Sequence, residues 1–237
     1  MAETRLDKLI SEAAVVSRAQ ARKLIKDGAV CVDGMIIRSP EKKFCEENCS
    51  FTLFGKALGP AGEKYYMLNK PAGLLSATRD NEQKTVLDLF PPELRAKGLF
   101  PVGRLDKDTR GLLIITSDGQ FSHAVTSPRR EVPKRYEAKV EGSLTKDDEE
   151  SFERGIVLRD GTICLPARLE IDEEDKSHAF VTVFEGKYHQ VKRMLASLGK
   201  PVLSLRRLSI GSLELDEGLE EGQFRELTAG EREQVFN

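Results

Sequence analysis

The run Leu112-Leu-Ile-Ile115 constrains the fold more than any other stretch of this chain. It is short and wholly apolar, and the turn pair Asp118-Gly119 closes it, so it reads as a buried strand. The residues just before it are highly charged. Asp106 lies among the cations Arg104, Lys107 and Arg110, in the order Gly103-Arg-Leu-Asp-x-Asp-Thr-x-Gly111. A carboxylate set among positive charges at the mouth of a stiff element meets the requirements of a carboxylate nucleophile.

The elements around that strand point to a mixed architecture. Tyr65-Tyr-Met-Leu68 reads as a strand followed by a turn, Asn69-Lys-Pro-Ala-Gly73. Ala77 to Thr85 reads as an irregular loop. Tyr136–Val140, Ile163–Leu165, Ala179–Phe184 and Leu203–Ile210 read as further strands. Tyr188 to Leu198 reads as a helix with Val191, Met194, Leu195 and Leu198 on its inner face. Strands dominate without regular strand–helix alternation. The expected class is therefore α+β, with a mixed or antiparallel sheet.

The first 54 residues form a separate pattern. Leu6, Leu9, Ile10 and Ala13 have the spacing of an amphipathic helix. Ser17 with Gln20 is a capping box for a second helix, which carries Arg18, Arg22 and Lys26 four apart in one basic stripe. Gly28 is a stop signal, and Asp33-Gly34 joins Val30-Cys-Val32 to Met35-Ile-Ile37 as a two-residue hairpin. Residues 55–63, rich in Gly and Pro, read as a linker to a second domain spanning 64–237.

The net charge is -2, which by itself argues against nucleic-acid binding, but the charge is segregated. Basic residues gather at 18–26, 129–135 and 187–207, and acidic ones at 147–150, 172–175 and 214–226. A positive face on an acidic protein is compatible with that order. No apolar run approaches the roughly 18 residues of a membrane span. The N-terminus lacks the order of a signal peptide, so the expected location is the cytoplasm. Cys31, Cys45, Cys49 and Cys164 lack a second ligand pair at usable spacing, which favours reduced thiols over a zinc site.

Two resemblances follow from these residues. Arg5-Leu-Asp-Lys-Leu9, Ser17-Arg18, Ala21, Leu24-Ile25, Gly28, Val30 and Val32-Asp-Gly34 resemble the S4-like RNA-binding domain. The Gly103–Gly111 motif, Lys134-Arg-Tyr136, Gly119-Gln-Phe-Ser-His-Ala-Val-Thr-Ser-Pro128 and Glu185-Gly-Lys-Tyr-His-Gln-Val-Lys-Arg-Met194 resemble the RsuA-type pseudouridine synthases. That resemblance implies isomerisation of one uridine in small-subunit (16S) ribosomal RNA, at the position conventionally numbered 516. It implies Asp106 as nucleophile, Tyr136 stacking on the extracted base, and Lys192 as the basic partner of Asp106. Asn69, Lys70, Pro71, Gly103, His189 and Gln190 are expected to shape the site. Arg18, Arg22, Lys26, Arg104, Arg129, Arg130 and Arg193 are expected to meet RNA phosphates.

The reaction is redox-neutral and needs no activated donor, so neither cofactor nor metal is expected. The partner would be ribosomal RNA, either naked or as an assembly intermediate with ribosomal proteins, and the enzyme a monomer with no membrane partner. Three alternatives stand beside this reading. One is a relative acting on 23S RNA, and another is a non-catalytic assembly factor. The third is a magnesium-dependent phosphotransferase built on Asp106-Lys-Asp108, which the residue at 110 disfavours.

Overall fold

A computed structural model describes residues 3–14, 16–45, 49–58 and 63–237. The chain divides into two compact units, Met1–Glu63 and Lys64–Asn237.

In the first unit the elements are β1 (Thr4–Arg5), α1 (Leu6–Ala13), α2 (Arg18–Lys26), β2 (Val30–Val32), β3 (Met35–Ile36), β4 (Lys43–Phe44), β5 (Phe51–Leu53) and β6 (Lys56–Leu58). The capping box forms as expected. The Gln20 amide donates to Ser17 Oγ at 3.2 Å, and Gln20 Oε1 accepts from the Ser17 amide at 2.9 Å. Asp33 and Gly34 both take positive φ, +50° and +78°, the conformation of a two-residue hairpin turn. Leu6, Leu9, Ile10, Ala21, Ile25, Val30, Val32 and Phe51 close a small core between the helices and the sheet β3-β2-β5-β6. One expectation changes here. Lys56–Leu58, placed in a linker on composition, is a strand paired antiparallel with β5. Its hydrogen bonds outweigh the Gly-rich surroundings, and residues 59–62 of that linker lie outside the described residues.

The second unit continues with β7 (Tyr65–Lys70), α3 (Pro92–Arg95), β8 (Phe100–Pro101), β9 (Arg110–Thr116), α4 (Gly119–Thr126), β10 (Lys134–Val140), α5 (Lys146–Arg154), β11 (Arg168–Ile171), β12 (His178–Val183), α6 (Gln190–Ser197), β13 (Val202–Ile210), β14 (Leu213–Glu214), β15 (Phe224–Glu226) and α7 (Ala229–Gln234). Seven strands make a path β11-β12-β10-β13-β9-β7-β15, with β14 beside β13 and β8 beside β9. Each neighbouring pair is antiparallel except β13 and β9, which run parallel through Arg206–Arg110 and Arg207–Gly111. The sheet is thus two antiparallel halves joined along one parallel seam. Gly111 sits on that seam at φ +98°, and a Cβ there would stand 2.2 Å from the Arg207 carbonyl oxygen.

Leu112 to Ile115 form the centre of β9 and are fully buried, as the apolar run requires. Each contributes roughly 1.5–3 kcal/mol by leaving water. Their alternation feeds two cores: Leu112 and Ile114 face Met67, Phe121 and Val125, while Leu113 and Ile115 face Leu68, Phe90 and Leu99. A third core lies on the other half-sheet, where Phe152 of α5 and Val191, Met194 and Leu195 of α6 pack on Ala138, Val181 and Leu205.

Three sequence readings are corrected. Asn69 and Lys70 belong to β7, not to a turn, because they pair with Leu112 and Gly111 of β9. Asp118 does more than turn the chain. Its carboxylate accepts from the amides of Gln120 and Phe121 at 2.8 and 2.9 Å and so starts α4. Ile163–Leu165 is not a strand; Ile163 makes only an isolated bridge to Val157.

Candidate active site

Asp106 lies in the loop between β8 and β9. Three local devices fix that loop. The Ser76 hydroxyl donates to the Leu105 carbonyl at 2.8 Å and accepts from the Leu105 amide at 3.1 Å. A tight turn closes from the Thr109 amide to the Asp106 carbonyl at 3.1 Å. Beneath it, the fully buried Lys70 ammonium donates to the carbonyls of Thr109 (2.9 Å), Pro71 (3.0 Å) and Lys107 (3.2 Å). Burial pulls the Lys70 pKa down to about 8.

The Asp106 carboxylate meets two basic side chains from α6 and its cap. Lys192 Nζ stands 3.1 Å from Oδ2, and His189 Nε2 stands 3.3 Å from Oδ1. Lys192 also donates to Asp108 at 2.5 Å and so bridges the two acids of the loop. Burial alone would lower the Lys192 pKa. The hydrogen bonds to Asp108 and Asp106 outweigh it, so the ammonium is held above its ordinary value. The same bond from Lys192 holds the Asp108 carboxyl below the usual range.

Asp106, Lys192 and His189 line one cleft of about 600 Å³ together with Gly103, Arg104, Lys134, Tyr136, Gln190 and Arg207. Tyr136 projects from β10 and is half-buried. Gly103 adopts φ +70°, a conformation that a side chain would strain. Gln190 is buried at the start of α6. Its Oε1 accepts from the Lys187 amide at 2.9 Å, and its Nε2 donates to Glu185 at 3.0 Å. Glu185 further accepts from the Leu165 amide at 2.9 Å and pairs with Lys187. This bracing holds His189 at φ +48°.

Several expected site residues lie elsewhere. Asn69 is absent from the cleft wall; its side-chain amide donates to the Leu219 carbonyl at 2.7 Å. Lys70 supports the Asp106 loop from behind, Pro71 accepts from Lys70, and neither lines the cleft. Arg129 and Arg130 are exposed on the turn Pro128–Arg130, away from the lining, and Arg130 lies over the Phe236 ring. Arg193 pairs with Asp160 at 2.5 Å and is not among the lining residues. In the first unit, Arg18 and Arg22 flank the buried Asp7 at 3.6 and 2.9 Å, with Arg5 at 3.0 Å. Both keep about half their side chain exposed, at 52%. Lys26 is exposed on the same helix.

Sequence reasoning named two buried cations of the cleft only as members of a motif or a basic cluster, not as site residues. Lys134 donates to the Val132 carbonyl at 2.7 Å, and burial followed by the charge of Arg207 lowers its pKa to about 8. Arg207 is 4% exposed, donates through Nε to the Leu112 carbonyl at 2.8 Å, and places its guanidinium 5.9 Å from the Tyr136 ring centre. Lys134 stood next to the Tyr136 signal. Nothing local marks Arg207, because its partners come from β9 and β10.

A carboxylate braced by two basic groups, beside an aromatic in a cleft, is a group of parts that sequence comparison also recovers. The pattern of the family described as RNA pseudouridylate synthase matches residues 64–197, and that of the S4 domain matches residues 4–48. The chain belongs to the RNA pseudouridylate synthase family and is an enzyme of that class with an N-terminal S4 domain. Within the class it is RsuA-type. It is 42% identical over 228 residues to the "Ribosomal small subunit pseudouridine synthase A" of Vibrio cholerae, covering 96% of this chain and 97% of that one. It is 40% identical over 229 residues to an "Uncharacterized RNA pseudouridine synthase YtzG" of Bacillus subtilis, covering 96% of both. A solved structure titled "Crystal structure of pseudouridylate synthase" superposes with TM-score 0.69 at 38% identity, over 98% of this chain and 99% of that one.

Proposed function

We propose that this enzyme converts one uridine of small-subunit ribosomal RNA to pseudouridine, at position 516, with Asp106 as nucleophile. The observation that carries the reading is the carboxylate itself, held by Lys192 at 3.1 Å and His189 at 3.3 Å in the wall of a cleft that Tyr136 also lines. The names of several relatives supply the substrate class.

The chemistry assigns each group a task. The uridine leaves its stack at a cost of a few kcal/mol and enters the cleft, where Tyr136 stacks on the ring. Asp106 attacks, either at the ribose anomeric carbon or on the uracil ring, and the bond from ribose to N1 breaks. The detached ring turns and is rejoined to the ribose carbon through C5, the bond to Asp106 breaks to return the free carboxylate, the C5 hydrogen leaves as a proton and N1 takes one up. No electrons are gained or lost. Lys192 and His189 fix the direction of the carboxylate, and Lys70 fixes the loop beneath it. Arg104 at the cleft and Arg18, Arg22 and Lys26 on α2 engage phosphates, with the first unit serving as the docking domain. The enzyme acts as a cytoplasmic monomer, on RNA alone or with ribosomal proteins bound.

Tritium release from transcribed 16S RNA labelled at uracil C5 tests this, with and without bound ribosomal proteins. About one tritium per RNA is expected, lost in Asp106→Asn while the fold and RNA affinity stay. Wild-type turnover in that variant would remove Asp106 from its role. Mapping the product names the uridine, and a modified position other than 516 would correct the target.

A further inference from the structure

Tyr188 lines the cleft and has no task in the reaction as described. It is 75% exposed, unusual for a large aromatic ring. Its ring stacks on His189, with centres 3.8 Å apart and planes 19° from parallel. His189 in turn stands 3.3 Å from the Asp106 carboxylate. One face of the Tyr188 ring is therefore covered and the other is open, a single step away from the nucleophile.

The backbone that presents this ring is braced on both sides. The Lys187 amide donates to the buried Gln190 side chain, and Arg193 Nη1 approaches the Tyr188 carbonyl at 3.4 Å. His189 holds a left-handed conformation at φ +48°, a strain that survives only where neighbours enforce it. A preorganised aromatic loses little freedom on binding, and each base offers it a π-face.

We infer that Tyr188 is a stacking platform for an unpaired base adjoining the target uridine. This rests on the reading that a uridine in RNA enters the cleft. The reacting base belongs inside, against the half-buried Tyr136. Tyr188 stands mostly in solvent at the rim, so the base it takes is a neighbour along the strand. The platform then contributes to recognition of the target through stacking rather than base-edge hydrogen bonds.

The test uses the full chain and 16S transcripts in which the nucleotide 5′ or 3′ of the mapped uridine is abasic. Wild-type tritium release on the intact transcript tests the functional reading independently. Tyr188→Ala is expected to raise KM by about 5- to 150-fold, with kcat within a few-fold of wild type. Tyr188→Phe, which keeps the ring, should restore wild-type KM. One of the two abasic transcripts should cost the wild type a similar factor and cost Tyr188→Ala nothing more. The platform is overturned by an unchanged KM in Tyr188→Ala. It is equally overturned if the two losses multiply at both neighbours, or if the loss falls on kcat alone.

Discussion

Replacing Lys70 by methionine separates the positioning of Asp106 from the stability of the fold. Lys70 is fully buried, and its ammonium donates to the carbonyls of Lys107 and Thr109 in the Asp106 loop and to that of Pro71. Holding that charge out of water costs stability. The fall from 10.5 to about 8 is roughly 2.5 units, or about 3 kcal/mol at 1.36 kcal/mol per unit. Methionine removes this cost but leaves the buried Thr109 carbonyl without its donor, a loss of about 1–3 kcal/mol. The Lys107 carbonyl keeps the Gly73 amide at 2.7 Å, and Pro71 is only half-buried, so neither is left buried and unpaired. The two effects nearly cancel, so at neutral pH the variant should unfold within about 2 kcal/mol of wild type. Turnover should still fall by about 100-fold, because the loop carrying Asp106 loses its anchor.

The pH dependence has a definite sign. Between about 8 and 10.5 the unfolded chain keeps the Lys70 proton and the native chain does not. Native stability relative to the variant therefore rises through that window, by about 3 kcal/mol at most, and the burial penalty is fully present below it. Urea unfolding of both proteins at points across the window reads the difference, and Lys134, common to both, cancels. Parallel stability curves, or wild-type turnover in the variant, would refute the reasoning.

Lys192→Met removes the cation shared by Asp106 and Asp108. Turnover should drop by about 100-fold or more, and the Asp108 carboxyl should titrate closer to its ordinary value; NMR titration showing no upward move would contradict the bridge. In the first unit, the Arg5 hydrogen bond, aided by Arg22 and Arg18, holds the buried Asp7 at a pKa of about 2. That drop from 3.8 is about 2 kcal/mol of stability, present above the unfolded value and lost as pH falls from 3.8 toward 2. Asp7→Asn should flatten this acid limb in circular dichroism, and an unchanged limb would count against the cluster.

Where a signal is local, the sequence was enough to find the element. Ser17 with Gln20 and Asp33 with Gly34 act within four residues, and both form as read. Asp106, Tyr136 and Lys192 were recognisable because each sits in its own short motif, and the fold brings all three to one cleft. What was missed depends on distant partners. The strand that takes in Asn69 and Lys70 is extended by hydrogen bonds to Leu112 and Gly111, so Pro71 and Gly73 misplaced its end. The charge of Arg193 is engaged by Asp160, and those of Arg18 and Arg22 by Asp7, pairings that no basic stripe discloses. Asp118-Gly119 is ambiguous, because the same acid that closes a turn also caps a helix.

The parallel seam between β13 and β9 has a mechanical consequence. Asp106 belongs to the half-sheet of β9, while Tyr136 and Lys192 belong to the half built on β10 and α6. The strand pairing across the seam spans two residue pairs, so side-chain packing of Ile210 and Leu213 with Leu112 and Met67 carries much of the alignment. The candidate site is thus walled by both halves, and the Lys192–Asp106 ion pair at 3.1 Å crosses between them. A sideways shift of one half against the other would therefore change the separation of Asp106 and Lys192, which lie on opposite sides of the seam, while leaving the packing inside each half unchanged.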